Sequence, residues 1–139
     1  MKLLIVDTSV ALKWLNQDNE LNIDIADKIL KDARDGKVDI LAPELLKYEI
    51  GNALLYGKKI ASEDIDELLS IFYTLPISFI AENGELGNST YVLAKNLGVT
   101  YYDASFMSLA KQYDAILVTD NIKHQGKDSN IKVLALKDY

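Results

Sequence analysis

The sequence predicts a three-layer α/β/α domain with a central parallel sheet, spanning residues 1–139 as a single unit. Three observations predict it. Short continuous runs rich in Ile, Leu and Val, such as Lys2 to Val6 and Ala115 to Thr119, read as strands buried on both faces, the habit of parallel sheets. Stretches with apolar residues at helical spacing lie between these runs. No tight hairpin turn joins any two of them, so each strand reaches the next through a helical crossover.

Taken in order, Lys2 to Val6 is the first strand, and Asp7-Thr8-Ser9 ends it and can cap a helix whose one face carries Val10, Ala11, Trp14 and Leu15. Residues 16–22 are a polar loop. Ile23 to Asp35 is a helix with Ile23, Ala26, Ile29, Leu30 and Ala33 on one side, stopped by Gly36. Val38 to Ala42 is a second strand. Pro43 suits the first turn of the following helix, with Glu44 near its positive end. That helix carries Leu45, Leu46, Ile50, Ala53, Leu54 and Leu55 and ends at Gly57 and Lys58-Lys59. Ser62 caps a further helix that runs to about Tyr73, with Ile65, Leu68, Leu69 and Phe72 facing inward. Pro76 to Ala81 is a third strand, Asn83 to Leu97 a helix stopped by Gly98, and the next helix starts at Tyr102 or Asp103. Ala115 to Thr119 is the fourth strand, residues 120–130 a polar loop, and Ile131 to Leu136 the final strand.

The composition narrows the chemistry. With 139 residues, 49% hydrophobic and 26% charged, the chain is long enough for one domain with a substantial core. It has no cysteine, which removes disulfides and thiolate metal sites and fits a reducing compartment. The apolar run at the N-terminus is too short for a signal peptide or a membrane span, so a cytoplasmic protein is expected, with no membrane partner. The net charge of −6 speaks against simple electrostatic capture of nucleic acid. An enzyme that holds divalent cations is a partial exception, because bound metal neutralises carboxylates counted in that charge.

Four acidic residues stand where such a fold builds sites, beyond the carboxyl ends of strands or at nearby helix positions. Asp7 directly follows the first strand, where a helix cap and a metal ligand fit equally well. Glu49 lies midway along a helix, flanking the face marked by Leu46, Ile50 and Ala53, where a carboxylate is costly unless paired or metal-bound. Lys47 or Lys59 is its ordinary partner, while Asn52, three residues on and on the same side, is placed to orient it. Asp103 opens a helix, either as a cap or as a ligand whose charge the helix N-terminus stabilises. Asp120 follows the fourth strand and by itself reads as a turn aspartate; Asn121 is equally ambiguous.

Carboxylates gather where a hard divalent cation such as Mg²⁺ offsets their repulsion, since that ion takes oxygen ligands and keeps several waters. Two such ions about 4 Å apart activate water and stabilise the leaving oxygen of a phosphodiester. Other chemistries find little support. The single histidine, His124, sits in a polar loop, which disfavours a structural zinc site. Gly84-Glu85-Leu86-Gly87 lacks the spacing of a phosphate-binding loop, and no nucleophile elbow accompanies His124.

The segments Ile5-Val6-Asp7-Thr8-Ser9, Glu49-Ile50-Gly51-Asn52-Ala53-Leu54, Tyr102-Asp103-Ala104 and Leu117-Val118-Thr119-Asp120 together resemble the PIN domain, and more closely the VapC-type toxins of prokaryotic toxin–antitoxin pairs. The order, spacing and placement of the segments on elements carry the resemblance, which covers nearly the whole chain. It implies a PIN-like α/β/α fold and a Mg²⁺- or Mn²⁺-dependent ribonuclease. It implies Asp7 and Asp103 as principal metal ligands and Glu49 as a third acidic member, directly or through water. Thr8 and Thr119 would support the ligands or position water. It further implies a homodimer, an RNA substrate and a protein antitoxin that enters the active-site groove. The family's last motif reads Thr, any residue, Asp. Here Thr119 is followed by Asp120 and Asn121, so either Asp120 reaches the site through a local loop change or Asn121 substitutes with a neutral oxygen; Asp120 is taken as the fourth catalytic and metal-binding carboxylate beside Asp7, Glu49 and Asp103, with Asn121 in support.

Lys13, Lys47, Lys123, His124 and Lys127 are candidate RNA contacts, against the commoner role of solvated surface charge. Trp14 and Tyr102 are candidate base-stacking residues, against the commoner role of core aromatics. The competing functional reading is a PIN-like binding or regulatory module with weak or no catalysis, motivated by Asn121. A response-regulator-like phosphate-binding domain ranks below both, because Asp7 has no acidic neighbour and Lys137 is not placed for that chemistry.

Overall fold

The computed structural model describes residues 2–16, 18, 20–57, 60, 62–125, 128 and 130–139, excluding the side chains of His124 and Gln125. The expectations placed on Lys58, Lys59, Lys127 and the His124 side chain lie outside the described residues. Among the described residues, one parallel sheet holds β1 (Lys2–Val6), β2 (Val38–Pro43), β3 (Ile77–Ile80), β4 (Ile116–Thr119) and β5 (Val133–Ala135), in the order β3-β2-β1-β4-β5. The apolar runs are central for the expected reason. Leu4, Ile5 and Val6 of β1 and Leu117 and Val118 of β4 are wholly buried, which strands covered on both faces require.

Around the sheet lie α1 (Thr8–Ala11), α2 (Ile23–Arg34), α3 (Leu45–Asn52), α4 (Ser62–Thr74), α5 (Gly84–Leu97), α6 (Tyr101–Tyr113) and the short α7 (Ile122–Gln125). The chain steps outward from β1 to β2 and β3, then returns across β1 to β4 and β5. With right-handed crossovers, that reversal sends α1 to α4 to one face and α5 and α6 to the other. It also makes the junction of β1 and β4 the topological switch point of the sheet, where the carboxyl ends of neighbouring strands lead to helices on opposite faces. Register fixes the junction: Leu4 pairs with Ile116, Ile5 with Leu117 and Val6 with Val118. The two residues that follow, Asp7 and Thr119, therefore stand side by side.

Local differences from the expected elements have local causes. Pro43 is the last residue of β2, in register with Ile80, and not the first residue of α3. It can sit there because proline removes only a donor, at the end of the ladder. After the first turn α1 tightens into a 3₁₀ segment, Leu12–Trp14, and α3 widens into a π-helical turn, Ala53–Gly57. The loop after β4 contains α7, and the final strand is shorter than expected, giving way to a 3₁₀ turn, Leu136–Asp138. Gly98 closes α5 at φ 67°, a left-handed conformation that glycine adopts without strain. Trp14 is buried and its indole N–H donates to the carbonyl of Ala26 at 2.8 Å, so it joins α2 to the first helix as a core residue.

At the amino end of the sheet, far from the switch point, Tyr139 donates its hydroxyl to Asp32 at 2.8 Å. Lys28 holds the same carboxylate oxygen at 2.9 Å and lies 4.7 Å from the centre of the tyrosine ring. Burial, followed by the hydrogen bond to Asp32 and its negative charge, pushes the Tyr139 phenol up to about 12. An unfolded tyrosine titrates at about 10. The folded state holds its proton longer, so this contribution is full below about pH 10 and is lost as pH rises toward 12. In chemical denaturation, wild type should lose stability across that window by more than Tyr139→Phe, which lacks the component. At neutral pH the variant should be less stable by about 1 kcal/mol. In the sheet, Leu117→Ala should cost about 2–5 kcal/mol in the same measurement, the usual result of emptying a sealed leucine site.

Candidate functional site

Asp7 is the centre of the switch-point arrangement. It is 5% exposed, and both oxygens of its carboxylate accept hydrogen bonds. Oδ1 accepts from the Val10 backbone N–H at 3.3 Å and from the Ser9 hydroxyl at 2.5 Å, and Oδ2 accepts from the Thr119 hydroxyl. Asp7 is thus the N-cap of α1, and its carboxylate also borders the cleft. Burial pushes the Asp7 carboxyl above its ordinary value, and the hydrogen bonds from Ser9, Thr119 and Val10 offset this only in part.

Glu49 arrives from α3, which leaves the carboxyl end of β2. Its Oε1 accepts from the Thr8 hydroxyl at 2.5 Å. Burial raises its carboxyl above the ordinary range; the Thr8 bond opposes this, and the negative charges of Asp103 and Asp7 add to it. Lys47 is not its partner: it pairs with Glu44 at 2.7 Å and lies 4.6 Å from the centre of the Phe79 ring. Asn52 is exposed at the last residue of α3 and does not line the cleft.

Asp103 comes from the other face of the sheet. A helix that feeds a parallel strand runs against it, so the N-terminus of α6 lies at the carboxyl end of β4. The helix starts at Tyr101 and its cap is Thr100, whose hydroxyl accepts from the Asp103 N–H at 3.0 Å. Asp103 is therefore not the cap. Threonine takes that task, and the Asp103 carboxylate, in the first turn, is left to the cleft.

The cleft measures about 180 Å³ and is lined by Asp7, Thr8, Ser9, Glu49, Asp103, Phe106 and Asn121. Asp120 is not in this lining. Its carboxylate turns to Lys13 at 3.2 Å, while Asn121, whose N–H donates to Thr119 Oγ1 at 2.9 Å, occupies the edge of the cleft. Lys13 is also not a surface cation: it is buried, with Glu20 at 2.8 Å as its second partner. Burial alone would lower its pKa, but the hydrogen bonds and charges of Glu20 and Asp120 outweigh it and raise the value. Lys123 and Tyr102 are exposed, and neither lines the cleft. A larger cavity of about 740 Å³ between α5 and α6 contains none of these aspartates or Glu49, so volume alone does not locate the chemistry.

The supporting roles of Ser9 and Thr100, and the place of Phe106 in the cleft wall, are not evident from the sequence alone. A hydroxyl two residues after Asp7, and one three residues before Asp103, were the available signals. Among the described residues, no three acidic or histidine side chains stand close enough to hold one ion between them. The donors nonetheless suit a divalent cation that keeps its water. They are carboxylates, an amide and hydroxyls, all oxygen, and Mg²⁺ commonly contacts only one or two carboxylates directly. The upward push on Glu49 from Asp103 and Asp7 marks an excess of negative charge that a cation would relieve.

The sequence of residues 4–128 matches the model of the PIN domain. The chain belongs to the PIN domain family. PIN domains are generally nucleases and typically use divalent metal ions. Comparison with curated proteins gives no significant match. Among solved structures, the fold is similar to VapBC2 from Rickettsia felis bound to a DNA fragment from its promoter, with TM-score 0.74 and 19% identity over 96% of this chain and 98% of that one. It is also similar to PAE2754 from Pyrobaculum aerophilum, with TM-score 0.72 and 21% identity over 98% and 90%. A toxin–antitoxin complex from Klebsiella pneumoniae gives TM-score 0.65 and 14% identity over 97% and 98%. At these identities the likeness is one of fold, and it matches the parallel α/β/α architecture of the PIN domain.

The charge excess in the cleft has a measurable consequence. Glu49 titrates above its unfolded value, so its unfavourable contribution sets in as pH rises through the carboxylate range. In a metal chelator at neutral pH, Glu49→Gln keeps an acceptor for Thr8 and removes one charge. It should unfold at higher denaturant than wild type, a gain of about 0.5–1 kcal/mol that shrinks as pH falls through the carboxylate range and is gone below about 4.

Proposed function

We propose that this PIN domain is a Mg²⁺- or Mn²⁺-dependent endoribonuclease and the toxin of a type II toxin–antitoxin pair. The observation that carries this reading is the meeting of Asp7, Glu49 and Asp103, from three distant segments and both faces of the sheet, on one cleft at the switch point. A bound divalent ion supplies Lewis-acid activation of water and neutralises charge on the phosphoryl oxygens. The chain's own residues do the rest. Asp7 and Asp103 would be the principal ligands, with Asp7 immobilised by Ser9 and Thr119 and Asp103 supported by the positive end of α6. Glu49 would join them as the third acidic member or accept a proton from attacking water, a role that its raised pKa and its Thr8 hydrogen bond support.

The assemblies named for the structural neighbours support a protein antitoxin as partner. Large apolar side chains left exposed on α3, the π-helical turn and α4, namely Tyr48, Leu55, Tyr56, Ile71 and Tyr73, are consistent with burial against a second protein, and a homodimer belongs to the same proposal. RNA would approach an acidic chain, so its phosphates must be met largely through the bound cation. No helix among the described residues is long and apolar enough to cross a membrane, which agrees with a proposed cytoplasmic site of action.

One observation favours a second reading, a PIN-like module with little or no catalysis: the cleft edge presents the neutral Asn121 where a fourth carboxylate would hold cations more tightly. Single-stranded RNA incubated with purified protein separates the two. Cleavage should require Mn²⁺ or Mg²⁺ and stop with EDTA, and Asp7→Asn or Asp103→Asn should slow it by about 100-fold or more. Wild type that leaves RNA intact, or cleavage undiminished in Asp7→Asn, favours the second reading.

A further inference from the structure

Among the described residues Lys13 is a large, fully buried side chain, and it has no part in the reading above. An ammonium withdrawn from water is stable only when closely paired, and here Glu20 and Asp120 both hold it. Asp120 is in turn gripped at two points. Its N–H donates to Ser9 Oγ at 3.0 Å and its carboxylate lies 3.2 Å from Lys13. The next N–H, that of Asn121, donates to Thr119 Oγ1 at 2.9 Å. Ser9 and Thr119 are the two hydroxyls that donate to Asp7. The turn after β4 is therefore fixed to Asp7 through two hydroxyls and to the first helical segment through a buried ammonium. Its orientation follows: the carboxylate at 120 meets Lys13, and the residue at 121 lines the cleft.

We infer that Lys13 is a positioning residue. By engaging the Asp120 carboxylate it withholds that charge from the cleft and sets Asn121 there as a neutral oxygen donor. This rests on the cation site proposed above. The departure from Thr-any-Asp in the last motif is then resolved structurally: Asp120 serves the lysine and Asn121 serves the site.

Calorimetric titration of the full chain with Mn²⁺ tests this without reference to cleavage. Asp120→Asn retains an oxygen for Lys13 and should bind Mn²⁺ within about threefold of wild type, whereas Asp120→Ala releases the turn and should weaken binding about tenfold. Asn121→Ala should weaken it by a similar factor, and Asp120→Ala combined with Asn121→Ala should be no weaker than Asn121→Ala alone. Asp120→Asn weakening Mn²⁺ binding as far as Asp120→Ala would identify Asp120 as a ligand and overturn the inference, as would Asp120→Ala binding like wild type. If wild type takes up no Mn²⁺, the cation reading fails by itself. The turn is still read in that case from the ¹⁵N–¹H NOE of the Asn121 amide. That amide should be ordered in wild type and Asp120→Asn but mobile in Asp120→Ala and Lys13→Met; equal order in Asp120→Ala overturns the inference whatever the metal result. Should Lys13→Met not fold, the two Asp120 variants decide alone.

Discussion

The hydrogen bond from the Thr119 hydroxyl to Asp7 joins the carboxyl ends of the two central strands, and the cleft depends on it. It exists because β1 and β4 are neighbours in parallel register, which brings Thr119 beside Asp7 one step past the last paired residues. A buried carboxylate without donors would hold its proton or draw in water; a hydrogen bond to a charged group contributes about 1.5–3 kcal/mol against that tendency. The same threonine oxygen accepts from Asn121, so one side chain sets both the acidic centre and the turn at its edge.

From that bond outward, the site is built by hydroxyls more than by cations. Thr8 serves Glu49, Ser9 serves Asp7, Thr119 serves Asp7 and Thr100 caps the helix that bears Asp103. Hydroxyls orient carboxylates without neutralising them. The consequence is an arrangement whose negative charge remains available to an incoming cation, at some cost to stability when none is present. Among the described residues, the one buried cation nearby, Lys13, is directed at Asp120 and Glu20, away from the cleft-lining carboxylates.

Much of this was legible in the sequence because parallel α/β folds translate pattern into position directly. The continuous apolar runs at Leu4 to Val6 and Leu117 to Val118 identify central strands, and residues that follow central strands end up at the switch point. That is how Asp7 could be singled out. The details that were not legible are those decided by competition between neighbours. Thr100 and Asp103 both have the chemistry to cap a helix, and spacing alone does not say which one does. Asp120 and Asn121 are adjacent and both polar; what separates them is Lys13, 107 positions away in sequence and invisible to any local pattern. Pro43 is ambiguous for a related reason, since a proline fits the last residue of a strand as well as the first turn of a helix, and only the pairing with Ile80 settles it.

The bond between Asp7 and Thr119 spans 112 positions of sequence. Contacts of that separation form late, after the intervening chain has been made and ordered. During synthesis at 5–20 residues per second, Asp7 waits about 6–22 s for Thr119 to be added, and longer for it to clear the ribosome. Until then Asp7 lacks the threonine donor and Glu49 and Asp103 have no completed sheet end on which to meet. The three acidic residues therefore share one cleft only after the chain has been made through Thr119 and β4 has joined β1.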